Sequence, residues 1–295
     1  MPAPHSNAFS GYNPPMLHYL YLDYGGLPKY RRELKYSLIS LRQALADAAD
    51  AKIAVYTDAP GLYANWPVEV VDIAERIEAC SGGGIYHHRI KPAVVLDALE
   101  RFAGSVCFVD SDSIVQPGFH AEVSAKLAPE EVWSVTKTAV VMNRFELRNP
   151  FPPLKGFRTR LPHLGAYRYD TENSWMFNSG LIGVTPAHVP LLEDTLAFID
   201  DLIGRARKFP TLEQLALSEV VRLNQIPVAE VRDTFVHYWQ GRRRIYMAGR
   251  IEKALSPDWD DLTPPKQWDE MNYWAVRATN YWYGVTHMFD GWRSK

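Results

Sequence analysis

The sequence predicts an α/β protein with a mostly parallel sheet. Over the first 110 residues, short apolar runs rich in aromatic and β-branched residues alternate with segments whose apolar residues recur at helical spacing. The short runs are typical of buried strands, and the periodic segments are typical of helices with one buried face. Regular alternation of the two indicates βαβ units, in which helices cover both faces of the sheet.

Four strands and two helices are predicted before residue 111. The first strand is the apolar run at 17–22, which ends at a Gly-Gly pair, and a helix begins at Pro28 with leucines along one face. Further strands are predicted at 52–58, 68–73 and 105–110, and a second helix at 92–102.

The pattern is weaker in the middle of the chain and then resumes. One strand is predicted at 131–136, whereas 137–174 shows no period and contains the breaker NPFPP at 149–153. The sheet resumes at 175–184, followed by helices at 186–207 and 212–223 and a strand at 228–235. The irregular stretch gathers basic residues, namely Lys137, Arg144, Arg148, Lys155, Arg158, Arg160 and Arg168. Because long loops are often functional, we expect this one to contact an anionic acceptor or to close over a ligand, the alternative being a solvated surface loop.

Composition excludes several classes of protein. The chain has 32 Lys and Arg against 34 Asp and Glu, so bulk charge does not attach it to nucleic acid or to an anionic membrane. Its 47% hydrophobic and 22% charged residues are typical of globular proteins. Two cysteines, Cys80 and Cys107, are too few for a disulfide framework and predict a reduced, cytoplasmic protein.

Three segments are predicted: a flexible leader at 1–15, one α/β domain at 16–255 and an appendage at 256–295 packed on that domain. The leader is polar and lacks the apolar stretch of a signal peptide. Six of the nine Trp residues follow residue 238, so the appendage is rich in aromatic residues. Its residues Tyr281, Tyr283 and Trp292 leave open a weak contact with the inner face of a membrane.

An acidic pair at the end of a strand is the most informative motif. Asp110 and Asp112 directly follow the apolar run 106–109. Ligands of open α/β sheets bind at the carboxyl ends of the strands. Two carboxylates there suit Mg²⁺ or Mn²⁺, and the ligand expected at such an ion is a diphosphate bound through the metal. A solvated turn is the alternative.

Four motifs in order resemble one enzyme family. Asp-x-Asp at 110–112, Phe-Asn-Ser-Gly at 177–180, Glu213-Gln214 and the late His237 are similar to motifs of the nucleotide-sugar-dependent glycosyltransferases of GT-A fold. The likeness is greatest to the bacterial lipopolysaccharide galactosyltransferase and glycogenin group. It implies a GT-A-like, Rossmann-like domain that transfers a sugar from a nucleotide-sugar, most simply a UDP-sugar, to a glycan or other hydroxyl acceptor.

The resemblance also implies roles for particular residues. It implies a Mn²⁺ or Mg²⁺ ion held by Asp110, Asp112 and His237. It places Asn178, Glu213 and Gln214 beside the donor sugar as catalytic residues. It implies contacts with the nucleotide-sugar from Tyr21, Asp23, Tyr24, Asp58, Arg89, Lys91, Asp110, Ser111 and Gly180.

The segment after His237 departs from the family pattern. The family has a Gly followed by a Lys-Pro pair, whose Lys binds the diphosphate, whereas this chain has Gly241 and three arginines. A guanidinium can bind phosphate in a bidentate manner, so Arg243 and Arg244 are candidates for the task. The longer spacing leaves open whether Arg242, Arg243 or Arg244 points inward, and a basic surface run is the alternative.

The sequence leaves the stereochemistry and two rival functions open. In an inverting enzyme Glu213 would take the acceptor proton, and in a retaining enzyme Gln214 would lie near the anomeric carbon. The acidic-Gln pair favours retention, although Thr211 and Gln214 also have capping-box spacing. The rivals are a sugar-phosphate nucleotidyltransferase, for which the loop at 25–29 is short, and a non-catalytic glycan-binding protein.

Overall fold

A computed structural model describes residues 16–45, 48–132, 135–148, 154–206, 211–239 and 241–255. The leader 1–15 and the appendage 256–295 lie outside the described residues. The helices in this part of the chain are α1 (Pro28–Ala44), α2 (Ile77–Cys80), α3 (Ile90–Arg101), α4 (Phe119–Leu127), α5 (Val189–Ala206), α6 (Leu212–Leu223) and α7 (Gly241–Ala254). The strands are β1 (Leu17–Asp23), β2 (Ala51–Thr57), β3 (Glu69–Asp72), β4 (Ser105–Val109), β5 (Ser113–Val115), β6 (Glu130–Val132), β7 (Val135–Lys137), β8 (Val140–Met142), β9 (Phe145–Arg148), β10 (Arg158–Leu161), β11 (Gly165–Arg168), β12 (Trp175–Phe177), β13 (Leu181–Val184), β14 (Val228–Glu230) and β15 (Phe235–His237).

Seven strands form a central sheet in the order β14-β8-β13-β4-β1-β2-β3. Four of its six strand pairs are parallel, and β13 alone runs antiparallel to its neighbours β4 and β8. The α/β class and the mostly parallel sheet predicted from the sequence are therefore confirmed.

Two apolar cores cover the two faces of this sheet. On one face, side chains of α3, α5 and α6 pack around Phe108, Phe198 and Leu215. On the other face, α1, α4 and α7 pack around Tyr19, Phe119 and Ile251. Strand residues point alternately to the two cores, which is why the strands read as nearly continuous apolar runs in the sequence.

The predictions for the middle of the chain are wrong in detail. The single strand predicted at 131–136 is two short strands, β6 and β7, that pair with each other. The stretch 137–174 contains β8, β9, β10 and β11, and β8 belongs to the central sheet. These strands have three or four residues each, too few for a period to stand out, and they form because tertiary pairing partners exist.

Two other predicted strands are also divided. The run at 175–184 breaks at 178–180 into β12, which pairs with β9, and β13 of the central sheet. The strand predicted at 228–235 is β14 followed by β15, and α7 was not expected from the arginine run. In the part of the chain that the structure describes, every helix is too short or too polar to span a bilayer.

Candidate active site

Two carboxylates and an imidazole converge at the carboxyl end of β4. His237 Nε2 lies 3.0 Å from Asp112 Oδ1 and 3.6 Å from Asp110 Oδ2. One ligand atom from each of the three residues lies within 4.8 Å of the others. The structure thus brings together three residues that are up to 127 positions apart in the chain.

Backbone pairing explains why these distant residues meet. After the turn that holds Asp112, the chain continues as β5, and β5 pairs antiparallel with β15 so that Ser113 is opposite His237. The amide of Tyr238 donates to the carbonyl of Asp112 at 3.0 Å, and the amide of Asp110 donates to the carbonyl of Gly180 at 2.9 Å. Ser111 lies in the same turn between β4 and β5.

An amide fixes the tautomer of the imidazole. Asn178 Oδ1 accepts hydrogen bonds from the Gly180 amide at 2.9 Å and from Asn143 Nδ2 at 3.1 Å, so this atom is the oxygen. His237 Nδ1, 2.8 Å away, must therefore donate to it. In the neutral ring Nε2 then carries a lone pair directed at Asp112 and Asp110.

Gly180 makes room for this ring. A Cβ atom at position 180 would lie 2.3 Å from His237 Nδ1 and 2.4 Å from Cε1. Both distances are far below any real carbon contact, so only glycine allows the imidazole to lie against the start of β13. In this structure Gly180 leaves space for the ring of His237, whereas the sequence predicts only that Gly180 lies beside the donor sugar.

Each carboxylate of the pair also faces a cation of the protein. Lys91, in the first turn of α3, donates to Asp110 Oδ2 at 2.9 Å and to the carbonyl of Ser179 at 3.1 Å. Arg244, near the start of α7, lies 3.3 Å from Asp112 Oδ2. Burial lowers the pKa of Lys91, but the charges of Asp110 and Glu213 outweigh burial and raise it.

Asp112 is ionised throughout the physiological range. Burial alone would raise the pKa of its carboxyl, but His237, Arg244 and Lys91 together lower it to about 2. The side chain is only 10% exposed, so its charge acts in a medium of low polarisability. The site therefore presents a permanent carboxylate beside the imidazole of His237.

Arg244 is held by two residues of α1 that the sequence analysis missed. Its Nε donates to Glu33 Oε1 at 2.9 Å and its Nη2 to Glu33 Oε2, while the guanidinium stacks on Tyr30 at 4.9 Å from the ring centre. Glu33 is buried, although a glutamate in a helix is usually exposed. No sequence signal marks this pair, because it joins positions 211 residues apart.

Glu213 and Gln214 both bind Ser179 from the start of α6. Glu213 Oε1 accepts from Ser179 Oγ at 3.2 Å and Oε2 accepts from the hydroxyl of Tyr86 at 2.5 Å, while Gln214 Oε1 accepts from the Ser179 amide at 3.1 Å. Thr211 makes no side-chain cap bond, so the capping-box alternative is wrong. Both carboxylate oxygens of Glu213 are thus engaged with protein groups in a buried position.

Two nucleotide-side candidates lie at neighbouring strand ends. Tyr24 follows β1, and burial together with the nearby charge of Asp110 raises the pKa of its hydroxyl to about 12. The hydroxyl donates to the carbonyl of His87 at 3.5 Å. Asp58 follows β2, and its Oδ2 accepts from the amide of Gly25 at 2.9 Å. This bond ties the loops after β1 and β2 together.

Three other candidates are not brought to the cluster by their side chains. Tyr21 is fully buried in the core beneath the sheet and its hydroxyl bonds Ser37. Asp23 is buried against Arg31 and Tyr63. Arg89 binds Asp200 of α5 and the carbonyls of Ala79 and Cys80. Each of the three side chains therefore makes contacts within the protein that stabilise the fold.

The remaining arginines of the 242–244 run divide between two places. Arg243 lines a cavity beside His237 together with Arg144, and Arg244 faces Asp112. The side chain of Arg242 lies outside the described residues. Of the two arginines whose side chains are described, Arg244 therefore faces the acidic pair and Arg243 faces the cavity.

The donor set suits a divalent cation. Adjacent ligands of an octahedral ion with metal–ligand bonds of about 2.1 Å lie about 3 Å apart, close to the spacings of His237 Nε2 from the two carboxylates. Converging lone pairs repel one another unless a cation lies between them. An imidazole nitrogen is a poorer ligand for Mg²⁺ than for a transition ion such as Mn²⁺.

Comparison with known proteins gives structural neighbours only. No protein-family model matches the chain, and no curated protein matches it. The fold is similar to the galactosyltransferase LgtC solved with donor and acceptor sugar analogues (TM-score 0.47, 11% identity, 86% of this chain and 99% of that one).

Two further neighbours are a glycosyltransferase involved in the glycosylation of the major capsid of PBCV-1 and mouse xyloside xylosyltransferase 1 in its apo form. The first has a TM-score of 0.44 and 14% identity, over 81% of this chain and 100% of that one. The second has a TM-score of 0.45 and 13% identity, over 73% of this chain and 85% of that one.

Proposed function

We propose that the protein is a metal-dependent glycosyltransferase that moves a sugar from a nucleotide-sugar, a UDP-sugar in the simplest case, to a hydroxyl of a glycan. The observation that carries the proposal is the cluster of Asp110, Asp112 and His237, flanked by the cations Lys91 and Arg244. Carboxylates for a metal beside cations for phosphate form a site for a metal-bound diphosphate.

Sugar transfer breaks the bond between the anomeric carbon and the diphosphate, so negative charge grows on the leaving phosphate. A divalent ion held by Asp110, Asp112 and His237 would supply Lewis-acid stabilisation of that charge. Arg244 and Lys91 add fixed positive charge on either side of the acidic pair. Neither cation has to reorganise as the bond breaks, which is the condition for effective electrostatic catalysis.

Tyr24 and Asp58 define the nucleotide end of the proposed site. Tyr24 offers a partly exposed aromatic face for the base, and Asp58 orders the loop that carries Gly25. Ser179, bound by Lys91, Glu213 and Gln214, holds the turn between β12 and β13 against the acidic pair. This turn is the place for the donor sugar in the proposal.

Retention is the proposed stereochemical outcome. A base for inversion must reach the acceptor hydroxyl, whereas both oxygens of Glu213 accept bonds from Tyr86 and Ser179 in a buried position. Glu213 is therefore better suited to hold Ser179 and Tyr86 than to move a proton. The anomeric configuration of the product, read by NMR, tests this part of the proposal.

A donor panel tests the proposed activity. UDP-, GDP- and CDP-sugars are incubated with Mn²⁺, and release of the nucleoside diphosphate is measured with and without a chelator. We expect Asp112→Asn to abolish turnover while the melting temperature stays close to that of the parent. Asp72→Asn is the matched control, because Asp72 lies at the exposed end of β3 in the same sheet, far along the strand order from β4.

The outcomes separate the proposal from its rivals. A fully active Asp112→Asn enzyme would contradict the metal assignment. Release of pyrophosphate from a nucleoside triphosphate would favour a sugar-phosphate nucleotidyltransferase. Glycan binding without turnover of any nucleotide-sugar would favour a non-catalytic glycan-binding protein.

A further inference from the structure

Three exposed arginines share one face of the hairpin that β10 and β11 form. The two strands are antiparallel, and their register puts Arg158 directly opposite Arg168. Arg160 lies two positions along β10 from Arg158, so it points to the same side of the hairpin. Opposite Cα atoms in such a pair are about 5 Å apart, and alternate ones along a strand about 7 Å. We refer to this compact triangle of cations as the arginine face.

The opposite face of the hairpin is held by α5 and α6. Tyr167 is buried, and its hydroxyl donates to Glu219 Oε2 of α6 at 2.5 Å. In the turn between the strands, the amides of His163 and Leu164 both donate to the carboxylate of Asp194 of α5, at 2.8 and 3.1 Å. The backbone of the hairpin is therefore fixed before a ligand arrives, so binding to the arginine face has no backbone to order.

The carboxylates that meet the hairpin serve groups other than these three arginines. Asp201 of α5 accepts from the hydroxyl of Thr159, and Glu193 lies 2.5 Å from His163 Nε2. Among the described residues, no carboxylate makes an ion pair or a hydrogen bond with the arginine face. Like charges directly opposite each other destabilise a strand pair, and a bound anion would turn that repulsion into attraction.

The surroundings of the arginine face indicate the chemistry of its partner. Protein interfaces and surfaces that lie on a membrane both depend on apolar or aromatic anchors. The large hydrophobic side chains that are exposed in the described residues all lie outside the hairpin, namely Leu27, Leu62, Ile85, Trp239, Ile245 and Tyr246. A cationic face without such anchors suits a hydrophilic polyanion, whose successive charges can each meet one guanidinium.

We propose that the arginine face binds an acidic glycan, a chain with a negative charge on successive sugars, whose end is the acceptor. This inference rests on the proposed function and adds the charge of the acceptor and the need for several sugars. The chain runs from β11 through 169–174 to β12 and the turn beside the acidic pair. Arg168 and Asn178 are ten residues apart, so at most about 35 Å separate them, a distance that an oligosaccharide can span.

Two probes that differ in charge test the arginine face. Octagalacturonate, which has a carboxylate on every sugar, and its full methyl ester, which has none, are titrated calorimetrically into the full chain at low ionic strength. We expect the acid to bind at least about 10-fold more tightly than the ester, the gain of charge-assisted hydrogen bonds. The triple variant Arg158→Gln, Arg160→Gln, Arg168→Gln should lose this preference. Its melting temperature should not fall, because the substitutions remove repulsion.

A second triple variant controls for bulk charge. Arg42, Lys52 and Lys253 are exposed cations of α1, β2 and α7, so their replacement by Gln removes the same net charge away from the hairpin. This control variant should keep the preference for octagalacturonate over its ester. Only a local contact with the arginine face gives a difference between the two triple variants.

Three results would overturn the inference. The parent would bind octagalacturonate and its ester equally, or the two triple variants would lose the preference to the same extent. The third is binding of the parent to phosphatidylglycerol vesicles but not to octagalacturonate, which would assign the face to a lipid surface. Failure of the proposed function is seen separately, as the absence of nucleoside diphosphate release from every donor while octagalacturonate still binds.

Discussion

His237 Nδ1 lies 2.8 Å from Asn178 Oδ1, and this bond directs the other ring nitrogen at the two aspartates. Since a group that hydrogen-bonds the far nitrogen of a ligating imidazole orients the ring and sets its tautomer, we expect Asn178→Ala to weaken Mn²⁺ binding roughly 10- to 100-fold. Asn178→Asp keeps an acceptor at the same position and should recover most of the affinity. Titration of Mn²⁺ followed by electron paramagnetic resonance measures both effects without a substrate.

Asn224→Ala is the control for this prediction. Asn224 also makes a side-chain hydrogen bond, to the carbonyl of Val220 at the end of α6, but contributes nothing to the cluster. Its substitution should leave the Mn²⁺ affinity unchanged. If Asn178→Ala binds Mn²⁺ as tightly as the parent, the imidazole does not need its amide partner.

Gly180→Ala tests the close approach of His237 to β13. The added methyl group would overlap the imidazole ring, so the ring must move away from Asp112 and the Mn²⁺ affinity should fall. Gly204→Ala is the matched control, because nothing lies within 4 Å of a Cβ there and the residue is in the exposed part of α5. It should raise the free energy of unfolding by up to about 1 kcal/mol. Equal Mn²⁺ affinity of the two variants would contradict the packing argument.

Glu33→Gln tests whether the glutamate positions Arg244 for the diphosphate. The variant keeps the shape of the side chain but weakens the bidentate pair, so we expect the donor KM and the Kd for UDP to rise about 10-fold. The Kd for UMP, which lacks the second phosphate, should change little. A purely structural role would affect UDP and UMP equally.

The control for Glu33 joins the same two helices. Glu252 of α7 faces Arg32 of α1 at 4.0 Å in an exposed ion pair, so Glu252→Gln removes one α1–α7 contact far less buried than that of Glu33. We expect no change in UDP affinity from it. A loss equal to that of Glu33→Gln would indicate that α1–α7 packing, and not Arg244, controls the site.

Local pattern predicted much of the fold. The starts of β1, α1, β4 and α6 are those that the apolar period and Pro28 predict, and the ends of β1 and β4 differ from the prediction by one residue. The cluster was predictable because Asp110 and Asp112 follow a buried strand and because an ordered set of motifs includes His237. The first signal lies within a few residues, and the second consists of short motifs in a fixed order along the chain.

The features that the sequence did not predict depend on contacts between distant residues. β8 is an apolar triplet that becomes a strand because β13 and β14 pair with it. In the sequence, Glu33 is indistinguishable from an exposed glutamate of a helix, and only its contact with Arg244 of α7 explains its burial. Tyr21 is a predicted contact of the nucleotide-sugar, but its side chain points from β1 into the core. None of these outcomes is encoded in a short window of sequence.

Glu213→Gln separates a positioning role from general-base catalysis. If the carboxylate only holds Ser179 and Tyr86, the isosteric amide should reduce kcat by less than about 10-fold, whereas loss of a general base costs about 10²–10⁴-fold. The pH profile of kcat should keep its shape. A 10³-fold loss together with loss of the basic limb of the profile would assign Glu213 as the base of an inverting reaction.

His188, directly before α5, provides a pH-dependent contribution to stability. The amide of Thr185 donates to its Nδ1 at 3.0 Å, and Nε2 lies 3.1 Å from the carbonyl of Thr138, so the buried ring is held neutral. Burial lowers the pKa of His188 below 6.5, and the bond to Thr138 offsets this only in part.

The sign of the effect follows from which state binds the proton. Above pH 6.5 the ring is neutral in both states, and below it the unfolded chain binds a proton that the folded protein does not. The free energy of unfolding therefore falls with decreasing pH, by up to about 1.4 kcal/mol per unit, until the folded pKa is reached. Urea titrations from pH 7 to pH 5 should show a shallower decline for His188→Gln, while His88→Gln, at an exposed histidine, should follow the parent. Parallel curves for His188→Gln and the parent would show that another group carries this dependence.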